Sequence, residues 1–491
     1  MTPITTSETL VLVHTVLTLS CALRVLYHQK NHGVALAWLG ILFVAPLIGL
    51  IAYLIIGEPK LGRTREKRKQ EIVNFYNEFT APNFRAEPSD VGLAHKWQSL
   101  AILAHHSTGF QALSGHQCQF LNDTDAMLAA MIADIEQAER AVVLMFYIID
   151  VKGEVENLFI ALEQAAQRGV RCEILADSVG SAQFFSTPWC ERLKKQGVLV
   201  HQSLSIGLIK TILVRSDLRN HRKLLVVDEH IAYTGSYNLV DPKVFKQGAG
   251  VGQWVDVMLR VRGPVVIQLL AMFYADVAVE NRQNFAGIQA LWRERWPYVE
   301  SMALQAAASC SVLQTIPSSP DQNHYVFYDT LICALHQAQR DIVLTTPYFV
   351  PDEALMLALT ATARRGVSVT LIVPQKVDSF LVRYASQASY RVLLQSEVKI
   401  ALFTGGLLHT KSVVIDGEFA LFGTVNMDMR SFYLNLELTM ALYSEADIRA
   451  LALQQQAYLR DCVYIDATRW QQRSVWRTLL ENTVRLMSPL L

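Results

Sequence analysis

One residue pattern occurs twice in this chain and limits its fold more than any other feature. His221-Arg-Lys223-Leu-Leu-Val-Val-Asp228 is followed, after six intervening residues, by Gly235-Ser236-Tyr-Asn238. His409-Thr-Lys411-Ser-Val-Val-Ile-Asp416 is followed, after the same gap, by Gly423-Thr424-Val-Asn426, and 409 − 221 places the copies 188 residues apart. The surroundings repeat as well. Arg140-Ala-Val-Val-Leu-Met-Phe-Tyr147, a helical stretch ending Gln167-Arg168-Gly169-Val170 and a strand-like run from Cys172 to Leu175 form one copy. Arg340-Asp-Ile-Val-Leu-Thr-Thr-Pro-Tyr348, a helix ending Arg364-Arg365-Gly366-Val367 and Val369 to Val373 form the other. Strand-like and helix-like runs alternate in each copy, which predicts an α/β fold of two tandem α/β domains related by pseudo-twofold symmetry. The expected boundaries are 113–305 and 306–491, with the join near Ala306-Ala-Ala-Ser309 and Pro317-Ser-Ser-Pro320.

The residue types in the repeated pattern suit a phosphodiester. In an extended segment His and Lys, two residues apart, lie on one face and reach one pocket, while Arg222 or Thr410 faces away. Lys223 and Lys411 supply compact cations for phosphoryl oxygens, and Ser236, Asn238, Thr424 and Asn426 supply further hydrogen bonds to substrate. One neutral imidazole attacks phosphorus while the other, protonated, gives its proton to the leaving alkoxide; the residues alone do not rank His221 and His409 in these roles. Asp228 and Asp416 can each accept a hydrogen bond from an imidazole Nδ1–H and so hold its tautomer, in either motif. The chemistry needs no cofactor and no metal, and no carboxylate cage for a metal is evident.

The N-terminal end reads as membrane. Charged residues are 18% of the chain, below the usual ~25%. No charge interrupts Gly33 to Gly57, which predicts a transmembrane helix over about 34–56, and a second span is expected over about 8–27. Residues 1–58 are thus assigned to two transmembrane helices and 59–112 to a basic, amphipathic linker. Lys60, Arg63, Arg65, Lys67, Arg68 and Lys69 follow the second span, so the positive-inside rule puts the remainder in the cytoplasm; the same charges attract anionic headgroups. Over the whole chain 44 Lys+Arg balance 44 Asp+Glu, which disfavours a nucleic-acid binder. The seven scattered cysteines include no CxxC pair and read as reduced thiols.

The two His-Lys-Asp motifs resemble those of the phospholipase D superfamily, in which the duplicated motifs meet at one site. The bacterial cardiolipin synthase family is closer still. It resembles this chain over nearly its whole length, including the span pair, Lys60-Leu-Gly-Arg63, Asp217-Leu-Arg-Asn220, Phe245-Lys-Gln-Gly-Ala-Gly-Val-Gly-Gln-Trp254-Val-Asp256 and Asn426-Met-Asp-Met-Arg430-Ser-Phe432. Thr424 stands where Ser is commoner and keeps the hydroxyl. The resemblance implies two phospholipase D-like domains and a multi-pass protein of the bacterial inner membrane. Its partners are phosphatidylglycerol and an anionic lipid bilayer, with no nucleic acid. The implied reaction is transfer of a phosphatidyl group from one phosphatidylglycerol to another through a phosphatidyl-histidine, giving cardiolipin and glycerol, with His221 as nucleophile and His409 as acid and base.

Three further features carry alternatives. Glu437, eleven residues after Asn426, is either a carboxylate near the site or an exposed strand charge or partner for Arg430. Tyr147 and Tyr348 end equivalent strands, where core packing is the favoured reading over a place at the pocket. Trp470, Trp476, Leu479, Leu480, Val484 and Met487 interleave with Arg469, Arg473, Arg477 and Arg485, as in a basic helix that lies on a membrane or packs on the second domain.

Overall fold

The computed structural model describes residues 6–28, 32–57, 92–205, 217–280, 311–320 and 325–486, with single positions at 67, 71, 286, 287, 290, 293, 294 and 488. The chain forms two units, Met1–Glu66 with Ile206–Leu218 and Lys67–Ser205 with Arg219–Leu491.

In the first unit, helix α1 (Thr6–His28) contains an 18-residue apolar window, Val11–His28, long and apolar enough to cross a membrane. The second expected span is not one helix. It is divided into α2 (His32–Val44) and α3 (Pro46–Ile56). Pro46 has no N–H to continue α2 and its ring keeps Ala45 out of the helical region, at φ −136° and ψ 72°. The chain then folds back so closely that a Cβ on Gly49 would stand 3.1 Å from the Leu42 backbone, and only glycine fits without displacement. At 13 and 11 residues, each helix is shorter than the ~20 needed for a hydrocarbon core. Cys21, Val25, Ala35, Leu42 and Tyr53 join the three helices in one small apolar cluster. Of the basic run, only Lys67 is among the described residues.

The second unit is built on a 15-stranded sheet. Helix α4 (His95–Thr108) precedes β1 (Leu113–Leu121), α5 (Thr124–Glu136), β2 (Ala141–Phe146), α6 (Val155–Gln167), β3 (Arg171–Asp177) and β4 (Leu199–Ser203). The first motif spans β5 (Leu224–Val227), with β6 (Ile231–Gly235), β7 (Trp254–Val255), β8 (Met258–Arg262) and α7 (Val265–Glu280) after it. The second copy comprises β9 (Ser311–Ser318), α8 (Val326–Gln337), β10 (Asp341–Thr345), β11 (Phe349–Val350), α9 (Glu353–Arg364), β12 (Ser368–Pro374), α10 (Phe380–Gln395) and β13 (Lys399–Phe403). It continues with β14 (Leu407–Leu408), β15 (Ser412–Ile415), β16 (Phe419–Gly423), β17 (Met427–Asp428), β18 (Glu437–Leu442), α11 (Glu445–Arg460), β19 (Cys462–Tyr464) and α12 (Val475–Arg485).

The strand order is β4-β3-β2-β5-β6-β8-β1-β9-β18-β16-β15-β10-β12-β13-β19. Outward from the central β1–β9 pair, the halves correspond strand for strand, with β19 added at one edge. The two expected α/β domains are therefore present, and they share one continuous sheet. Repeated strings have repeated jobs. Gly169 (φ 89°) and Gly366 (φ 98°) end α6 and α9 in the left-handed region. Beside them, Arg168 donates to the Ile135 and Ala138 carbonyls, and Arg365 to those of Leu335 and Ala338.

Two boundaries differ from expectation. Pro317 does not interrupt the pattern; it pairs with Leu438 inside β9, beyond the point at which β1 contacts β9, so its missing N–H breaks no ladder there. Residues 306–309 lie outside the described residues. Within the expected linker, α4 is core: Trp97 stacks on Phe419 at 5.0 Å, and Gln314 donates to the Ala101 and Phe110 carbonyls. None of the six described cysteines is in a disulfide.

Candidate active site

Each His-Lys pair enters its strand from a short parallel bridge to the other domain. The His221 N–H donates to the Leu436 carbonyl and the Leu436 N–H to the Arg219 carbonyl, both at 2.8 Å. In the second copy β14 pairs with β7, and the His409 N–H donates to the Val255 carbonyl at 2.8 Å. The residue after each bridge is an acid. Glu437 follows Leu436 and Asp256 follows Val255, so each imidazole meets a carboxylate from the opposite domain. His221 Nδ1 lies 3.0 and 2.9 Å from the Glu437 oxygens, and His409 Nδ1 lies 2.7 Å from Asp256 Oδ1.

The hydroxyls of the downstream pattern hold those acids. Ser236 Oγ donates to Asp256 Oδ1 at 2.6 Å and accepts the Val257 N–H at 3.0 Å. Thr424 Oγ1 donates to Glu437 and accepts the Leu438 N–H at 2.9 Å. Two equivalent chains result, Ser236–Asp256–His409 and Thr424–Glu437–His221. With Nδ1–H donated to an ionised carboxylate, each ring keeps Nε2 for other chemistry.

Burial sets the protonation states. Loss of water holds both His221 and His409 down at about 4; Glu437 and Asp256 respectively oppose the fall, and the charges of both Lys223 and Lys411 add to it. Burial alone would raise Glu437 and Asp256, yet their imidazole partners lead a set of contacts that holds both below the ordinary carboxylate range. The rings are thus neutral and the acids charged in the free protein. Burial also pushes Lys223 down to about 8 and Lys411 well below its usual value. Each ammonium donates to the carbonyl of its own histidine, Lys223 to His221 at 2.8 Å. Because the Ser236–Asp256–His409 and Thr424–Glu437–His221 chains each cross from one domain to the other, the two motifs converge on one centre that includes both lysines.

Asp228 and Asp416 do not reach the imidazoles. Each occupies a left-handed position, φ 49° and 54°, in the hairpin loop after its motif strand, a conformation that Asp tolerates. Asp228 accepts the backbone N–H groups of Glu139, Arg140 and Ala141 at 2.8 to 2.9 Å. Asp416 accepts those of Gln339, Arg340 and Asp341, and pairs with Lys96. The third motif residue clamps a hairpin to the start of β2 or β10. Arg222 and Thr410 do face away, and each makes one bond across the domains and one within its own: Arg222 donates to the Glu437 carbonyl of the other domain and pairs with Asp276 of its own, while Thr410 donates to the Val255 carbonyl of the other domain and bonds Tyr458 of its own.

The remaining candidates divide. Asn238 Oδ1 accepts the Ile148 N–H at 3.2 Å, whereas the buried Asn426 Oδ1 has no hydrogen-bond partner. The Tyr147 ring packs against His221 at 5.0 Å, so it belongs to the site; Tyr348 donates to Asp378 at 2.7 Å. Two residues had no role assigned from sequence. Asp256 orients His409, and Trp254 lies 4.4 Å from the His409 ring with its buried indole N–H unpartnered. Alignment of the two copies would have exposed Asp256, because Val255-Asp256-Val257 leads into β8 as Leu436-Glu437-Leu438 opens β18, its equivalent strand. Among the described residues no group of three or more His, Cys, Asp or Glu side chains is arranged to hold a metal ion.

A family model described as "Cardiolipin synthase, PLD-like domain" matches residues 131–249 and 331–459, and one described as "Phospholipase_D-nuclease N-terminal" matches 16–58. Cardiolipin synthase A of Erwinia tasmaniensis is 38% identical over 96% of this chain and 95% of its own length. Cardiolipin synthase A of Salmonella arizonae is 38% identical over 98% of each. Among solved structures, phosphatidylserine synthase of Haemophilus influenzae superposes with a TM-score of 0.58 at 13% identity, over 80% of this chain and 99% of that one, a likeness of fold alone. With the duplicated site and this near full-length identity in hand, the chain belongs to the bacterial cardiolipin synthases, a family of phosphatidyltransferases within the phospholipase D superfamily.

Proposed function

We propose that this protein moves a phosphatidyl group from one phosphatidylglycerol to another. With the phosphate anion bound, His409 takes up a proton on Nε2; His221 Nε2 then attacks phosphorus, and that proton passes to the glycerol oxygen as its bond to phosphorus breaks. A terminal hydroxyl of the second phosphatidylglycerol then gives its proton to His409 and attacks phosphorus, breaking the phosphorus–nitrogen bond and forming cardiolipin. Both the bond lost and the bond made are phosphodiesters, so no nucleotide is consumed. The observation that carries this reading is the pair of crossed carboxylate–imidazole contacts, which give two equivalent histidines free Nε2 atoms around one lysine-rich centre. Lys223, Lys411, Asn238 and Asn426 hold phosphoryl oxygens, and Glu437 and Asp256 stabilise the imidazolium forms. The mechanism needs no metal.

Membrane attachment runs through α1, with α2 and α3 as a second, bent apolar element in place of a straight span. The basic segment after it argues for catalytic domains on the cytoplasmic side of the inner membrane. Incubation with phosphatidylglycerol alone tests the reaction. Cardiolipin and glycerol in equal amounts are expected, phosphatidic acid as the main product would make the protein a hydrolase, and neither His221→Ala nor His409→Ala should form cardiolipin. Trapped phosphatidyl adduct on His409 in place of His221 would exchange the two roles.

A further inference from the structure

Helix α12 has one face fixed and one left bare. Its buried face carries Glu481 and Val484. Arg473 pairs with both Glu481 oxygens at 2.7 and 2.8 Å, Arg477 approaches the same carboxylate at 3.4 Å, and Arg477 also donates to Gln387 on α10. Val484 sits in an apolar cluster with Val350, Val382 and Ala385. The opposite face presents Val475 (81% exposed), Trp476 (80%), Leu479 (55%) and Leu480 (41%), with Leu486 (81%) just beyond. Spacing of i, i+1, i+4 and i+5 makes these a continuous ridge. It is locked in place by two arginines, so its exposure is a property of the fold.

The charge around the ridge has one sign. From Arg473 to Arg485 the segment has three arginines and one acid, a net +2, and that acid is buried in ion pairs. Trp and Leu side chains standing beside the exposed Arg477 and Arg485 match the headgroup and acyl boundary of an anionic bilayer. The ridge also connects to the catalytic rim. Tyr348 packs on the Val484 cluster and bonds Asp378, Asp378 lies 3.5 Å from Lys246, Lys246 stands over Trp254, and Trp254 packs against His409.

We propose that the exposed face of α12, led by Trp476, Leu479 and Leu480, inserts into an anionic phospholipid surface and presents the His409 side of the cleft to bilayer lipid. α1 tethers the chain; α12 determines how the cleft meets its substrate. The inference rests on the reading of the protein as a phosphatidyltransferase.

The full chain is reconstituted in phosphatidylcholine nanodiscs and given either long-chain phosphatidylglycerol in the disc or dihexanoyl phosphatidylglycerol as dispersed monomers. For Trp476→Glu combined with Leu479→Glu, transfer from disc lipid is expected to fall about tenfold while transfer from the monomer stays within about twofold. Brominated disc lipids should quench more fluorescence in wild type than in Trp476→Phe. Equal loss on both substrates, loss on neither, or absence of Trp476-dependent quenching would overturn the proposal. So would conversion of a wild-type dimer to monomers by the double substitution, which would make the ridge a protein interface. If wild type acts on neither substrate, the reaction assignment fails, and the quenching still reports on α12.

Discussion

Replacing Glu437 with glutamine removes one charge from the pair that holds His221 and leaves a side chain of nearly the same shape. The two oxygens stand 3.0 and 2.9 Å from Nδ1 in a fully buried setting. In the proposed transfer, bonding of Nε2 to phosphorus makes the ring a cation. Attraction between that cation and the carboxylate, at an effective separation of about 4 Å and a dielectric near 20, is about 4 kcal/mol. The amide oxygen recovers part of this as a neutral hydrogen bond, leaving a net loss of about 3 to 4 kcal/mol and a fall in rate of about 10² to 10³. The matched comparison is Asp228→Asn. Asn also tolerates the left-handed turn and keeps one acceptor for the three backbone N–H groups, so activity should stay within about threefold and stability fall by about 1 to 2 kcal/mol. Cardiolipin formation by full-length protein in phosphatidylglycerol vesicles, beside thermal melts, measures both. A folded Glu437→Gln protein within about threefold of wild type, or a folded Asp228→Asn protein down by about a hundredfold, would refute the crossed assignment.

Trp254→Phe keeps the ring beside His409 and deletes an unpartnered N–H, so a fall of about tenfold in turnover with an unchanged melt is expected; full activity would show that the indole donates nothing to the reaction. Ser236→Ala and Thr424→Val each free the carboxylate that orients an imidazole, and about tenfold loss is expected for each, whereas Thr424→Ser should stay within about twofold; the three rates side by side check it. Burial holds His116, His221 and His409 at about 4 when folded, against 6.5 when exposed. As pH falls the unfolded chain takes up these protons first, so their contribution is complete above about pH 6.5 and is lost down through about pH 4, at about 3 kcal/mol per histidine. Melting temperatures that stay level over that window would contradict this.

The duplicated spacing in the sequence determined the α/β repeat, the catalytic residue types and the family, because periodicity and local strings are properties of neighbours along the chain. The Arg-Gly pairs at 168–169 and 365–366 even foretold where α6 and α9 end. The partner of each imidazole was another matter. His221 and Glu437 are 216 residues apart and His409 and Asp256 are 153 apart, and each contact exists only because β7 and Leu436 bring one domain's strand beside the other domain's motif. The sequence reading assigned the motif acids, Asp228 and Asp416, to one or other imidazole, and the hairpin geometry instead turns both onto backbone amides. The bend at Pro46 and the bare face of α12 are likewise decided by close packing: composition marks the first segment as apolar and the second as basic and amphipathic, but only the folded chain shows which side chains bury one another and which stay exposed.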